Sequence, residues 1–201
     1  MQIDVLELGP MANCTYLLSQ DGNALLVDPA WDMSFITHTL QQKNLRLLGV
    51  FYTHGHFDHV KFSQQLLEQF SVKGYLEKQD LSLSGIDPQY LELYDGECHF
   101  ELGSFSVHTL PTPGHTAGSV CLEIDHTLFT GDTLFPGACG RTDLPTSDPR
   151  AMLASLRRLA ALPEDTVFFA GHSYDGKCRS TIGYERIKNP FMRNALRGGE
   201  E

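Results

Sequence analysis

Apolar residues in the first half of the chain fall into short runs that are separated by turn residues. β-rich runs of this kind predict strands over residues 3–8, 14–19, 24–28, 47–52 and 72–76. Apolar residues at helical spacing predict helices over residues 34–43 and 60–70. The second of these helices would place Phe62, Leu66, Leu67 and Phe70 on one side. Strands therefore alternate with helices in this half.

Strand-like runs return in the second half after a less regular stretch. Residues 78–97 are interrupted by Gly and Pro, and we expect a short helix and a loop there. Further strands are predicted over residues 105–110, 119–124, 127–130 and 166–170. Asp148-Pro149 is a helix-start signature and predicts a helix to about residue 162. Residues 184–196 predict a helix that Asn189-Pro190 interrupts.

Two groups of strands with interspersed helices are typical of an α/β (α+β) protein. The pattern favours two sheets that pack face to face and are covered outside by helices. It also allows a three-layer, doubly wound fold. A chain of 201 residues without linker-like stretches predicts one domain, residues 1–201.

The composition is that of an ordinary globular protein, with 41% hydrophobic and 20% charged residues. The net charge of −10 and the lack of a basic stripe argue against nucleic acid as a partner. No apolar run approaches the roughly 20 residues that span a bilayer, and no signal peptide is evident, so we expect a cytoplasmic protein without a membrane partner. Five widely spaced cysteines without a CxxC motif indicate reduced thiols.

Seven residues whose side chains bind metals lie in four short clusters, and each cluster directly follows a strand-like run. The first cluster contains His54, His56, Asp58 and His59, and the others supply His115, Asp132 and His172. Three imidazoles and a carboxylate within six residues suit a borderline divalent metal such as zinc or iron. Because the clusters follow strands, we expect them to gather along one edge of the sheets.

This ligand set suits two adjacent metal ions. One ion is expected at His54, His56 and His115, and the other at Asp58, His59 and His172, with Asp132 as a bridge between them. Each ion would keep a coordination position open for water. Two cations about 3.5–4 Å apart can share a hydroxide that acts as a nucleophile at neutral pH. The sequence thus favours catalysis at a dinuclear site, with Asp58 and Asp132 as its catalytic carboxylates.

The ligand pattern resembles that of the metallo-β-lactamase-fold hydrolases. Their HxHxDH motif is present at residues 54–59, and the downstream His, Asp and His follow in the same order. The similarity covers nearly the whole chain, from residue 13 to residue 191. The resemblance implies a four-layer αββα sandwich with two divalent metal ions, Zn²⁺ or alternatively Fe²⁺, at the edge where the sheets meet.

Within that superfamily the chain is most similar to short members of the hydroxyacylglutathione hydrolase (glyoxalase II) group. Residues 113–116, 140–143 and 184–191 show this similarity. The resemblance implies a hydrolase of small-molecule thioesters, in particular those of glutathione. Full-length glyoxalase II has a C-terminal helical domain that helps to hold glutathione, whereas little sequence follows His172 here.

Two residues are candidates for substrate binding. Arg141 either binds an anionic group of the substrate or forms an ion pair with Asp143 that shapes the loop. Tyr174 lies two residues after His172 and either donates a hydrogen bond to the substrate or packs against its neighbours.

Two other functions remain open. The loops around Arg141 and Tyr174 are also similar to those of persulfide dioxygenases, which use one iron ion and molecular oxygen on glutathione persulfide. In that case His56, His115 and Asp132 would be the iron ligands, because two His and one carboxylate with open positions form the non-haem iron arrangement. A non-catalytic metal-binding module is the third reading, although structural sites do not need open coordination positions.

Overall fold

The computed structural model describes residues 1–198, and most of its strands form two six-stranded sheets. Sheet 1 has the strand order β1-β2-β3-β4-β5-β6: β1 (Gln2–Leu8), β2 (Asn13–Gln20), β3 (Asn23–Val27), β4 (Arg46–Phe51), β5 (Gly74–Glu77) and β6 (Leu91–Tyr94). The first three strands are antiparallel, and β3 to β6 are parallel. The parallel strands are possible because helical connections return the chain to the same edge each time.

Sheet 2 is built mainly from hairpins. Its order is β14-β13-β10-β9-β8-β7: β7 (His99–Leu102), β8 (Phe105–Pro111), β9 (Val120–Ile124), β10 (Thr127–Gly131), β13 (Val167–Ala170) and β14 (Arg179–Thr181). A separate short hairpin joins β11 (Leu134–Phe135) to β12 (Ala138–Cys139). Because β8, β10 and β13 all run in the same direction, their carboxyl ends lie at one edge of the sheet.

The two sheets pack face to face because alternate residues of their strands point to opposite sides. Leu18, Leu25 and Val27 of sheet 1 lie in the core between the sheets, with Phe129 and Phe169 of sheet 2. The neighbouring residues Leu17, Ala24 and Leu26 lie in a different core on the outer face of sheet 1. Strand β3 therefore contributes residues to both hydrophobic cores, one on each face of sheet 1.

Helices cover the outer face of each sheet. α1 (Met33–Gln42) and α3 (Ser63–Phe70) pack on sheet 1, and α5 (Pro149–Ala160), α6 (Ile182–Lys188) and α7 (Pro190–Arg197) pack on sheet 2. Asp148 caps α5 by accepting hydrogen bonds from two backbone N–H groups of the first turn, as its sequence signature predicts. The layers are α, β, β and α, so the predicted sandwich is confirmed and the doubly wound alternative is wrong.

The helix predicted over residues 60–70 is wrong at its start. The chain instead forms α2 (Phe57–Val60), leaves helical geometry at Lys61 and Phe62, and begins α3 at Ser63. Phe62 has a left-handed φ of +66° and an exposed ring, so it does not join Leu66 and Leu67 in the core. The helical spacing of Phe62 was therefore coincidental.

The irregular stretch at residues 78–97 contains more structure than the sequence predicts. A short helix, α4 (Leu81–Ser84), is present with two 3₁₀ turns at Lys78–Asp80 and Pro88–Tyr90, but the expected loop contains strand β6. The strands β7, β11, β12 and β14 were also not predicted, because runs of two to four residues give little periodicity. Residues 199–201 of the predicted single domain lie outside the described residues.

No helix within residues 1–198 is both long and apolar enough to span a bilayer.

Candidate metal centre

All seven predicted metal-binding residues follow strands that end at the same edge of the sandwich. Residues 54–59 come after β4 of sheet 1, whereas His115, Asp132 and His172 follow β8, β10 and β13 of sheet 2. Six of the seven side chains are buried, and His56 is half-buried. The parallel direction of these strand ends is what brings residues more than 100 positions apart into contact.

The residues form two groups that we call the donor sets. The first donor set is His54, His56 and His115, and the second is Asp58, His59 and His172. Within each set, one donor atom from every residue lies within 4.8 Å of the others. Their composition is the same as that of the two groups predicted from the sequence, and metal binding by them stays a prediction.

Asp132 lies between the two donor sets. Its Oδ1 is 3.4 Å from His59 Nε2, and its Oδ2 is 3.5 Å from His115 Nε2. Oδ2 is also 3.3 Å from His172 Nε2. A single carboxylate therefore touches a histidine of each set, as the predicted bridging position requires.

The ring orientation of three histidines is fixed by acceptors on the side away from the centre. The backbone oxygen of Met11 accepts a hydrogen bond from His172 Nδ1 at 2.9 Å, and that of Arg141 accepts one from His115 Nδ1 at 2.9 Å. Asp28 accepts a hydrogen bond from His59 Nδ1 at 3.0 Å. Because Nδ1 donates to these acceptors, Nε2 is the ring nitrogen that faces the centre, as metal ligation requires.

The spacing of the donor atoms is close to that expected around a shared divalent ion. His59 Nε2 lies 3.2 Å from His172 Nε2, and His56 Nδ1 lies 2.9 Å from His115 Nε2. Nitrogens that share a tetrahedral zinc ion are about 3.3 Å apart, given Zn–N bonds of about 2.0–2.1 Å. His54 Nε2 and Asp132 Oδ1 are buried and have no hydrogen-bond partner within residues 1–198. Buried donors without partners are costly, so these atoms fit metal coordination.

The environment of the centre shifts the pKa values of its residues in different directions. Burial lowers the pKa of His54 well below its usual value, and the charge of His59 lowers it further. Burial also lowers the pKa of His59, but the carboxylates of Asp132, Asp28 and Asp58 outweigh this effect and raise it to about 9. Burial raises the pKa of Asp132, whereas His59 and His172 hold it well below the usual range. The carboxylate is therefore held ionised among the imidazoles.

Asp28 is a candidate site residue that the sequence does not single out. This buried carboxylate follows β3 and accepts hydrogen bonds from the backbone N–H of Thr53 at 2.8 Å, from Thr53 Oγ1 at 2.6 Å and from His59. Asp28, His54 and His59 also have donor atoms close together. Both Asp28 oxygens already accept hydrogen bonds, so its geometry is that of a residue that orients ligands. Asp28 follows a strand directly, as the predicted ligands do, and this position is the one feature of the sequence that could have indicated it.

Asn13 and Asp80 were missed as well. Asn13 Nδ2 donates to Asp58 Oδ2 at 2.9 Å, and Trp31 Nε1 in turn donates to Asn13 Oδ1 at 2.9 Å. Asp80 is buried and accepts hydrogen bonds from the backbone N–H of Gly55 at 2.7 Å and from Thr116 Oγ1 at 2.7 Å. Asp80 therefore ties the loop of His54 and His56 to the loop of His115.

The centre opens into a cavity of about 570 Å³ whose lining includes Arg141 and Tyr174. The Arg141 guanidinium is exposed and forms two hydrogen bonds with Asp143, of 2.7 and 2.9 Å. The Tyr174 ring stacks on His172, with 5.2 Å between ring centroids and 5° between planes. The ion pair of Arg141 and the packing of Tyr174, which were predicted as alternatives to substrate binding, are both present. Both residues also belong to the cavity lining, and their contact with a substrate stays a prediction.

The cavity wall also contains Cys139, one of the free thiols. Burial raises the pKa of Cys139 to about 11, so this thiol is protonated at neutral pH. All five cysteines are free, as their spacing predicts.

Residues 8–172 match the sequence profile of the Metallo-beta-lactamase superfamily. The chain belongs to the metallo-beta-lactamase superfamily. Members of this superfamily are mostly metal-dependent hydrolases, and the buried His and Asp clusters fit a metal site. The resemblance inferred from the HxHxDH motif is thereby confirmed at the level of the superfamily.

One curated relative and two solved structures are informative. Hydroxyacylglutathione hydrolase GloC from Haemophilus influenzae is 34% identical over 90% of this chain and 92% of its own. The structure of ETHE1 from Myxococcus xanthus is similar with a TM-score of 0.83 and 26% identity, and covers 100% of this chain and 92% of its own. TTHA1623 in a di-iron-bound form has a TM-score of 0.80 and 33% identity, over 94% of this chain and 99% of its own.

Proposed function

We propose that the protein is a metal-dependent hydrolase of thioesters of the hydroxyacylglutathione type, with two divalent metal ions. The observation that supports this most directly is the pair of donor sets joined by Asp132 at the base of one cavity. The similarity to GloC over nearly the whole length of both chains supports the thioester as substrate.

The nucleophile in this proposal is water. Cys139 is the only thiol among the lining residues that the structure describes, and its raised pKa of about 11 leaves it protonated. Serine and threonine are absent from the lining residues that the structure describes. Two divalent ions held by the donor sets would supply a water of lowered pKa and polarise the thioester carbonyl.

The chain's own residues position the reaction. Asn13 holds one oxygen of Asp58, and Asp132 keeps its oxygens between the two sets, so both proposed catalytic carboxylates are fixed before substrate binds. Arg141 and Tyr174, in the cavity wall, are the proposed contacts for the rest of the substrate. The leaving thiol has a pKa near 8.5 and therefore needs no general acid for its departure.

Metal analysis combined with two assays tests the proposal. Purified protein is expected to contain about two zinc ions per chain and to cleave S-lactoylglutathione. Asp58→Ala removes a ligand of the second donor set and should abolish hydrolysis, whereas Glu92→Ala, at an exposed carboxylate of β6, should retain it. Retained thioesterase activity in Asp58→Ala would contradict the two-metal mechanism.

An iron-dependent persulfide dioxygenase is the second candidate, and the similarity to ETHE1 over the whole chain supports it. This function needs only His56, His115 and Asp132 as iron ligands. One iron per chain, with oxygen uptake on glutathione persulfide that survives Asp58→Ala, would favour it over hydrolysis. Bound metal without turnover in either assay would instead favour a non-catalytic metal-binding module.

A further inference from the structure

A second groove adjoins the cavity of the metal centre. We call it the lysine groove; its volume is about 420 Å³, and its lining includes Phe57, Lys61, Phe62, Gln65 and Ser84. Phe57 also lines the cavity of the metal centre. Because Phe57 directly precedes Asp58 of the second donor set, the groove and the cavity meet at a residue beside the metal centre.

Two aromatic rings hold the Lys61 side chain at this groove. Its Nζ lies 4.7 Å from the ring centroid of Trp31 and 5.1 Å from that of Phe62. The ring faces attract the ammonium group, and its N–H donors stay available for an anion. The charge is therefore held in position before a ligand binds, which lowers the entropic cost of binding.

Phe62 adopts an unfavourable backbone conformation in this arrangement. Its left-handed φ of +66° is an outlier for a bulky residue. The ring is 45% exposed, so its burial compensates little of this cost. Backbone strain of this kind concentrates at functional sites. The ring that the strained residue places at the groove is one of the two that hold Lys61.

Trp31 also connects Lys61 to the second donor set. Trp31 Nε1 donates to Asn13 Oδ1 at 2.9 Å, and Asn13 Nδ2 donates to Asp58 Oδ2 at 2.9 Å. Lys61 itself directly follows α2, the helix that contains Asp58, and its backbone N–H donates to the first residue of that helix. The positive charge and the metal centre are thus positioned by the same contacts.

Lys61 is available to bind an anion. Lys61 and Arg141 are the lysine and arginine residues in the described linings of the groove and the cavity, and Arg141 already pairs with Asp143. Within residues 1–198, the lysines that pair with a carboxylate are Lys43 and Lys78. Because the chain has a net charge of −10, an anionic ligand needs a local positive charge at its binding site.

We propose that the lysine groove is an anion subsite in which Lys61 binds a carboxylate of the thiol part of the substrate. The inference rests on the proposed hydrolysis of hydroxyacylglutathione-type thioesters and deepens it. In such a substrate the hydroxyacyl group is uncharged, whereas the glutathione part carries two carboxylates. The part that lies at Lys61 is therefore the thiol part, and Arg141 and Tyr174 contact the remainder.

Calorimetric titration with S-methylglutathione tests the subsite without turnover, because this thioether keeps both carboxylates and cannot be hydrolysed. With metal-loaded protein, Lys61→Met should weaken its binding about fivefold, as expected for an exposed ion pair. Lys61→Arg keeps the charge and should stay within about twofold of the parent. Lys188→Met, at an exposed lysine of α6 outside the groove and the cavity, should bind like the parent. Equal binding by the parent and Lys61→Met would overturn the inference.

The diethyl ester of S-methylglutathione separates the effect of charge from that of packing. Esterification removes both negative charges, so Lys61→Met should bind the ester no more weakly than the parent does. Weaker binding of the ester, by the same factor as for the free acid, would show that Lys61 acts through packing and would overturn the anion subsite.

Steady-state hydrolysis of S-lactoylglutathione distinguishes failure of this inference from failure of the proposed function. In Lys61→Met, KM should rise about fivefold while kcat stays within about twofold of the parent, because Lys61 binds a remote part of the substrate. If even the parent does not cleave the thioester, the proposed hydrolysis is wrong, whereas binding of S-methylglutathione that depends on Lys61 still supports the subsite. A lower kcat with unchanged KM and unchanged binding would overturn the inference.

Discussion

The two donor sets are held by different means. In the second donor set, each ligand is oriented through its own side chain, because Asn13 holds Asp58, Asp28 holds His59 and the Met11 backbone holds His172. In the first donor set, the Arg141 backbone holds His115, and Thr53 Oγ1 lies 3.1 Å from His54 Nδ1. His56 has no side-chain hydrogen-bond partner other than His115 among the described residues, and its loop is instead tied through Asp80.

This difference predicts unequal metal affinity at the two sets. Ligands that are already oriented lose less conformational entropy on binding, so the second donor set should bind the tighter ion. The first set is positioned partly through its loops. Carboxylate contacts to backbone groups hold these loops, and they orient the ligand side chains less directly than contacts to the side chains themselves. We therefore expect stepwise loading, with the second set occupied first. The following variants test this comparison, from the largest expected effect to the smallest.

Asp132→Ala should have the largest effect, because Asp132 contacts both donor sets. Losing it leaves His59 and His115 without the carboxylate between them. We expect thioester hydrolysis to fall at least about a thousandfold, because several kcal/mol of transition-state stabilisation depend on the metal pair. Zinc titration of the metal-free variant should show weakened binding at both sets. Weakening at one set alone would show that Asp132 belongs to that set.

Asp28→Asn should weaken mainly the second donor set. The amide would direct an N–H group at either His59 Nδ1 or Thr53, where a carboxylate oxygen now accepts hydrogen bonds. Loss of such an orienting contact lowers metal affinity about 10- to 100-fold. Asp21→Asn is a matched control, because Asp21 also has a left-handed φ, of +52°, but is exposed. Unchanged affinity of the tighter site in Asp28→Asn would contradict the proposed asymmetry.

Asp80→Asn should weaken mainly the first donor set. The amide retains one acceptor for the three groups that now donate to Asp80, namely Gly55 N–H, Thr116 Oγ1 and Gly118 N–H. We expect about tenfold weaker binding at the looser site and little change at the tighter one. Glu92→Gln, at an exposed carboxylate with no hydrogen-bonded partner among the described residues, should change neither site. Equal weakening at both sites would show that Asp80 stabilises the fold in general.

Cys178 tests whether the backbone next to His172 affects the second donor set. Its backbone oxygen accepts a hydrogen bond from Ala170 at the end of β13, and its thiol titrates with pH. The neighbouring Cys14 thiol lowers the pKa of Cys178 to about 7, although burial opposes this. The thiolate fraction rises as pH rises through this value, so alkylation of Cys178 by iodoacetamide should accelerate from pH 6 to pH 8. Cys14 is buried, its pKa is raised by the same pair, and it should stay unmodified.

Peptide mapping by mass spectrometry measures both cysteines, and Cys178→Ser is the control. Alkylation of Cys178 should leave zinc content unchanged, since its side chain packs against the core between the sheets and forms no hydrogen bond with a donor-set residue among the described residues. Loss of the tighter zinc ion on alkylation would show that the second set depends on this strand.

The fold was predictable where apolar periodicity was long enough to be read. The runs that became β2, β3, β4 and β8 were predicted because five to eight residues alternate or form a continuous apolar segment. The break at Phe62 was not predictable from spacing, since an exposed phenylalanine in left-handed geometry depends on how α2 is fixed by the ligand loop. Strands as short as β11 depend on tertiary contacts alone.

The seven candidate ligands were predictable because metal chemistry selects a few residue types at strand ends. Their grouping into two sets is consistent with the coordinates, while their role as ligands and the number and identity of the metal ions stay predictions. Asp28, Asn13 and Asp80 could not be recognised, because a single Asp or Asn after a strand is as common in turns as in ligand support. Only the folded chain shows which acceptor lies behind which imidazole.

Each donor set combines residues that follow a strand of sheet 1 with a residue that follows a strand of sheet 2, and this has a consequence for stability. His56 and His115 are 59 positions apart, and His59 and His172 are 113 positions apart. Ions held between them would act as removable cross-links. They would close long loops and hold the two sheets together at the edge that carries the donor sets. Removal of the metal should make this edge of the sandwich the first part to unfold under heat or denaturant. The lifetime of the folded chain would then follow the zinc or iron supply of the cell.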